Sequence, residues 1–448
     1  MINNITSNDG SEKRIGLVYN SDSGYYQGFD FSKIDDIESL LRNPPLADAF
    51  GRQRISEPYT LADYSHVYGE ETELLQKTSG NNSYINFDIS KARAVLVVGT
   101  GVNDFTIHQS RMYHHYMPGK SQLTFQSFNL GAPRSGTNKR VGLFDNNNGI
   151  FFEQSGDGTL SLVLRSDVSG NIQDQRFSQN NWNIDQCNGN GPSKFNLDIT
   201  KTQLFTSDFQ WLGVGTVRAG FVHNGDAIIA HEFYNSNFKD SVYWSNPNLP
   251  VRCELRNYAS GAGITGSMDQ ICATVISEGG YKEAGVDFSA TTNGPISVNA
   301  TKIPLIAIRL KTGYYGKPNR SVVRLGQASV YSLNQPVQFE FWRLTGNGNI
   351  VGGSWVSANN ESVVEYNNTA SSLTTTSGLM INAGYVAAGG PAGNPVGTST
   401  NFQDITTAKR GYISQNIDST ESNIFVITAT GLNGATSAFA SVQWRETR

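Results

Sequence analysis

The chain has 448 residues, 16% of them charged against a globular norm of about 25%, and its formal net charge is −4. A weakly acidic chain without a Lys/Arg block lacks the basic patch that phosphate neutralisation requires, which argues against a nucleic-acid partner. Aromatic residues at 11% and plentiful β-branched residues exclude a disordered polymer, and at roughly 100–200 residues per domain the length holds two or three folded domains.

Residues 1–85 read as an N-terminal arm. Within it, residues 31–41 are the best helix candidate: Ser32 with Asp35 resembles a capping box, Phe31, Ile34, Ile37 and Leu41 share a face, and Asn43-Pro44-Pro45 stops the turn. The following stretch, Ala49 to Thr60, is punctuated by Pro58 and alternates basic and apolar positions, so it cannot form a core of its own. Arg52 and Arg54 are the expected anchors of this arm, because guanidinium forks bind carboxylates and carbonyls at interfaces.

Over residues 86–299 the period becomes two, with turn signals between runs, and the expectation is an all-β fold with a large jelly-roll-like β-sandwich. Leu160, Leu162 and Leu164 alternate with Ser161, Val163 and Arg165, which predicts a half-buried strand. Asn148-Gly149, Asp157-Gly158 and Asn224-Gly225 each offer the positive-φ pair of a tight turn, and the clearest hairpin runs from Val217 to Phe233. Residues 300–448 are richer in Ser, Thr and Ala and predict a smaller C-terminal β-sandwich built on segments such as Ile303 to Leu310, Val337 to Arg343 and Ile424 to Thr428.

Candidate chemistry is sparse. Adjacent His114 and His115 on a strand point to opposite faces and cannot chelate one ion together. His231-Glu232 lacks the second histidine of a zinc-protease helix, and Gly213-Val214-Gly215 lacks the third glycine of a dinucleotide site. Asp145-Asn146-Asn147-Asn148-Gly149 is one residue short of a calcium loop, and a hairpin turn explains it more simply. A glycosidase needs two facing carboxylates, and no strand carries acids at alternate positions; nor is there a nucleophile elbow. The expectation is therefore no catalytic residue, no metal and no cofactor. Trp182, Trp211 and Trp244 could instead form a glycan platform, since rings stack on sugar faces, although large aromatics more often fill a core. Cys187, Cys253 and Cys272 are spaced for neither zinc nor a disulfide framework and read as small buried hydrophobes made in a reducing cytoplasm. The N-terminal residues lack the basic start and apolar stretch of a signal peptide, and no apolar run reaches the roughly 18–20 residues that cross a bilayer.

Several segments together resemble a family of tailed-bacteriophage virion proteins. They are Ala49-Phe50-Gly51-Arg52 with Pro58-Tyr59-Thr60-Leu61, His114-His115-Tyr116-Met117-Pro118-Gly119-Lys120-Ser121, Lys139-Arg140-Val141-Gly142-Leu143-Phe144-Asp145, Gly149-Ile150-Phe151-Phe152-Glu153, the aromatic block Asp208 to Gly215, and Pro247-Asn248-Leu249-Pro250. The resemblance implies a virion structural protein with a concanavalin-like or laminin-G-like central domain, and it brings no catalytic residue with it. The reading is a non-enzymatic building block, in capsid decoration, a minor head position, the tail or the baseplate. It would be synthesised in the host cytoplasm, reside in the virion, and pack as a homo-oligomer against copies of itself and other virion proteins. The alternatives are a glycan-binding module that contacts the host surface and, less in keeping with the residues, a polysaccharide-cleaving enzyme.

Overall fold

The computed structural model describes residues 2–6, 12–20, 25–30, 58–258, 265–280, 285–346, 349–376, 378–388, 397–401 and 412–447. The expected helix at 31–41 and the proposed anchors Arg52 and Arg54 lie outside the described residues. The arm holds strands β1 (Ile2–Thr6), β2 (Glu12–Asn20) and β3 (Tyr25–Asp30), which form a three-stranded antiparallel meander.

The first sandwich begins earlier than the sequence suggested. Strands β4 (Pro58–Ser65), β5 (Leu75–Ser79) and β6 (Tyr84–Asp88) belong to it and not to an arm ending at residue 85. They are followed by β7 (Arg93–Val98), β8 (Phe105–Ser110), β9 (Gln122–Asn129), β10 (Thr137–Phe144), β11 (Gly149–Gln154), β12 (Leu160–Ser166) and β13 (Gln173–Ser178). Next come β14 (Gln203–Phe209), β15 (Val217–His223), β16 (Asp226–Phe233), β17 (Val251–Asn257) and the long β18 (Gly266–Glu278).

These strands make two antiparallel sheets. One runs β13-β12-β11-β10-β17-β8-β5, and the other runs β16-β15-β14-β9-β18-β7-β6 with β4 added alongside β18. The chain crosses between them repeatedly, the interleaved connectivity of a jelly-roll-like sandwich. Alternation along each strand turns one face inward. Val141 and Leu143 of β10, Ile150 and Phe152 of β11, Phe205 and Phe209 of β14, and Val251, Cys253 and Leu255 of β17 meet in one core with Phe128, Phe221 and Trp244.

Turn chemistry differs among the three expected sites. At β15–β16, Asn224 (φ 53) and Gly225 (φ 91) supply both positive angles of a two-residue turn, as the sequence predicts. At the other two, glycine alone is positive, at Gly149 (φ 140) and Gly158 (φ 90). Strand β12 also departs from expectation. Ser161, Val163 and Arg165 are buried along with the leucines, so the strand is covered on both faces.

The second sandwich starts at Val286–Thr291, ahead of the expected boundary at 300. In one sheet Val286–Thr291, Thr436–Thr447, Val322–Ser332 and Gly397–Asn401 lie side by side, with Ile296–Val298 also on Thr436–Thr447. The facing sheet runs Val356–Ser357, Val364–Asn367, Ile303–Leu310, Ile424–Gly431, Val337–Leu344 and Gly378–Val386. Trp444, Phe341, Phe425 and Ile427 lie at its centre. The two sandwiches meet where the guanidinium of Arg320 stacks on the Tyr113 ring at 4.3 Å and Arg343 pairs with Glu73.

Candidate functional site

The outer face of the seven-stranded sheet carries a layer of charge. Register places Arg140 of β10 between Glu153 of β11 and Glu254 of β17. Its Nε donates to Glu153 Oε2 at 2.6 Å and its Nη1 to Glu254 Oε1 at 2.8 Å. Arg252 donates to the other oxygen of Glu254, while Arg176 Nε reaches Glu153 Oε1 at 3.0 Å. Asp174 then joins Arg176 at 2.7 Å and Arg165 at 2.8 Å. With Arg256 on Glu254 at 3.3 Å, five arginines enclose three carboxylates.

Aromatic rings pack into the same layer. Phe144 and Phe151 lie 4.6 Å apart beside Val163. Arg252 sits 5.1 Å over Phe144, and Arg165 sits 5.1 Å over Phe151. Gly142 makes the close fit possible, because a Cβ there would come within 2.6 Å of Phe151 Cα.

Two carboxylates facing each other across a strand are what a glycosidase needs, and a search along single strands could not find them. Their chemistry here is different. The guanidinium of Arg140 fills the space between Glu153 and Glu254. Burial alone would raise the Glu254 carboxyl, but Arg252, Arg140 and Arg256 outweigh it and hold the group well below the usual carboxylate range. A general acid must keep its proton near neutral pH. Glu254 is held as a carboxylate, which suits an ion pair and not proton donation.

The outer face of the eight-stranded sheet is the opposite case. Leu123 and Phe125 of β9, Leu204 of β14, Val222 of β15 and Ala227 and Ile229 of β16 line a groove of about 410 Å³. Asp208 and Glu278 stand at one end, where Asp208 pairs with Arg218 and accepts a hydrogen bond from Ser121. The Asn224–Gly225 turn closes the other end.

The tryptophans do not form an exposed platform. Trp182 is 4% exposed, and its indole N–H donates to the Phe177 carbonyl at 3.0 Å. Trp244 is fully buried against Phe209, and half-buried Trp211 donates to the Trp244 carbonyl at 3.2 Å. All three serve the core, and none lines the groove. The groove residues had a readable signal: β9 and β14 carry large apolar side chains at both odd and even positions, which marks a strand with apolar groups on both faces.

His114 and His115 sit in a loop, joined to the sheet by a single bridge from His114 to Leu249, and not on the expected strand. His114 Nδ1 lies 2.7 Å from the Leu249 carbonyl, which fixes the proton there and leaves Nε2 to accept from Tyr64 at 2.9 Å. Burial lowers His114, His115 and His231 to about 4, and His108, stacked on His66 at 5.5 Å, to about 3.

In the turn after β10, Asp145 Oδ1 accepts from the backbone N–H of Asn147 at 2.7 Å and Asn148 at 2.8 Å, so its carboxylate braces the turn. Among the described residues no group of three His, Cys, Asp or Glu side chains is placed to hold a metal ion. Cys187 and Cys253 are buried thiols, whereas Cys272 is exposed on β18, unlike the expectation for all three.

No family model matches the chain, and no curated protein matches it. Among solved structures it is similar to a protein of unknown function from Shewanella oneidensis MR-1, at 8% identity over 56% of this chain and 97% of that one, with a TM-score of 0.33. It is also similar to a glycoside hydrolase family 16 endo-glucanase from Bacteroides ovatus, at 9% identity over 48% of this chain and 99% of that one, TM-score 0.33. A peanut lectin matches at 12% identity over 50% of this chain and 98% of that one, TM-score 0.27. Likenesses of this size bear on neither activity nor ligand, and the sandwich is read from the chain's own strand pairing.

Proposed function

We propose that this chain is a non-catalytic structural component of a tailed-bacteriophage particle, acting by packing against copies of itself and neighbouring virion proteins. The observation that supports this most is the closed charge layer on the seven-stranded sheet. Its carboxylates are paired with arginines, and Phe144 and Phe151 lie under guanidinium groups, which suits a packing surface and not proton transfer. The sequence resemblance supplies the viral setting. Particles purified from lysed hosts and analysed by quantitative mass spectrometry test the reading. The expected result is this chain at fixed stoichiometry through successive density gradients, and its complete loss from washed particles would overturn it.

A second reading, a glycan-binding module, draws on the groove of the eight-stranded sheet. Phe125 offers a ring face there, and the carboxylate of Glu278 lines one end. Titration with host oligosaccharides, repeated with Phe125→Ala, separates it from the first: saturable binding lost in the variant would establish it, and silence in the unaltered protein would remove it.

A further inference from the structure

The geometry points to an acid-opened clasp: the stacked imidazoles of His66 and His108 hold shut the loop of residues 66–74, which also ties the first sandwich to the second. The clasp does not depend on a particle role. Its loop leaves β4, which pairs with β18 of the eight-stranded sheet, and enters β5, the outermost strand of the seven-stranded sheet. It therefore closes the side of the sandwich where β5 and β6 end the two sheets. From the same loop Glu73 reaches Arg343 of the second sandwich.

His66 is 1% exposed and His108 3%. Their rings lie 5.5 Å apart at 23°, and Phe87 of β6 makes a T-shaped contact with His66 at 6.0 Å. His66 Nδ1 lies 3.3 Å from the Gly69 carbonyl, which only accepts, so the ring proton sits there. His108 Nδ1 faces Gln270 Oε1 at 2.6 Å. The charged groups beside the pair are Lys77, opposite His108 on β5, and Glu70 of the loop, and these two bond to each other at 2.7 Å. On β17 the neighbour of His108 is Cys253, a thiol that burial keeps protonated.

A proton added to either ring creates a buried cation against its stacked neighbour. Burial lowers both histidines, and His66 and Lys77 add to the shift that takes His108 to about 3. The Gly69 carbonyl and Glu70 offset part of it at His66. Once the loop opens, His66 returns to about 6.5, so the closed form is fully favoured above that pH and loses ground as pH falls below it. The loop is the part that gives way. His108 is held in a ladder between β17 and β5, whereas Val67 and Tyr68 at the loop's tip are 52% and 92% exposed. Besides the stack, the loop's ties include Arg111, which donates to the Thr72 and Leu74 carbonyls at 2.8 Å, and the Glu70 and Glu73 ion pairs.

The test is hydrogen exchange of the full chain, read by mass spectrometry at about pH 7.5 and 5.5 and corrected for intrinsic rates. Residues 66–74 should exchange well before β11, a central strand, and their opening should rise by up to about tenfold per pH unit for each histidine exposed. His66→Phe keeps a ring in the stack and removes the group that takes the proton, so the loop's pH response should largely vanish. Glu73→Gln loosens the tie to Arg343 and leaves the histidines alone; it should raise loop exchange at both pH values with the slope unchanged. Equal loop exchange at the two pH values, exchange in step with β11, or a full response in His66→Phe would overturn the proposal. Unaltered exchange in Glu73→Gln would overturn it as well, and the unaltered chain and this variant decide the matter if His66→Phe does not fold.

Discussion

The two sheets of the first sandwich share one core and differ on their outer faces. The seven-stranded sheet covers its outer side with interlocked arginines, carboxylates and phenylalanines, while the eight-stranded sheet leaves an apolar groove half open. The difference teaches that titratable groups and availability run in opposite directions here. Charge in the first layer is spent internally, and contact surface remains where charge is scarce.

The strongest way to break this comparison is to open the charge layer. Arg140→Ala leaves Glu153 and Glu254 buried without their shared partner and is expected to cost about 3–5 kcal/mol in urea unfolding. A loss below about 1 kcal/mol would mean that the layer is decoration. Next, two phenylalanines on β9 compare inside with outside. Phe128→Ala in the core should cost about 3–4 kcal/mol, and Phe125→Ala on the groove side less than about 1.5, read from paired denaturation curves.

Acid sharpens the picture further. His108 and His114 titrate near 3 and 4 in the folded chain against about 6.5 unfolded, so the unfolded chain takes up protons first as pH falls. Their contribution is whole above pH 6.5 and is lost below it, at about 1.4 kcal/mol per pH unit for each histidine until the folded value is reached. Glu254, whose folded value is depressed, adds its own loss only below the ordinary carboxylate range. Unfolding curves at pH 7.5 and about pH 5.5 measure the histidine share, and His108→Gln should flatten that dependence. The smallest effect is expected at the solvated pair of Arg445 and Asp287, 2.8 Å apart: Asp287→Asn should change stability by less than about 1 kcal/mol, and less still in high salt.

The β character, the hairpin at Asn224–Gly225 and the division into two sandwiches are legible in the chain, because alternation and turn residues are local signals. The early strands are harder to see. Tyr59 and Thr60 read as arm because a proline precedes them, yet they pair with Ser277 and Ile276 at the far end of the domain's sequence. The charge layer was hidden for a related reason. Glu153 and Glu254 meet only through Arg140, and that meeting depends on cross-strand register. A clue lay in parity: Arg140, Glu153, Arg165, Arg252 and Glu254 alternate with the apolar Val141, Leu143, Ile150, Phe152, Leu162, Leu164, Val251, Cys253 and Leu255. Which side of a sheet a tryptophan takes is not written in its identity, and all three tryptophans turned out to be packing residues.

One pairing has a mechanical consequence. Pro58, the first residue of β4, lies opposite Glu278, the last residue of β18, so the polypeptide enters and leaves the first sandwich at adjoining points. Tension applied between the two ends of this sandwich's chain loads that end of the seven-pair β4–β18 ladder first. While that ladder holds, the other strands of the sandwich hang to the side of the load line, like a bead tied on a cord by a loop.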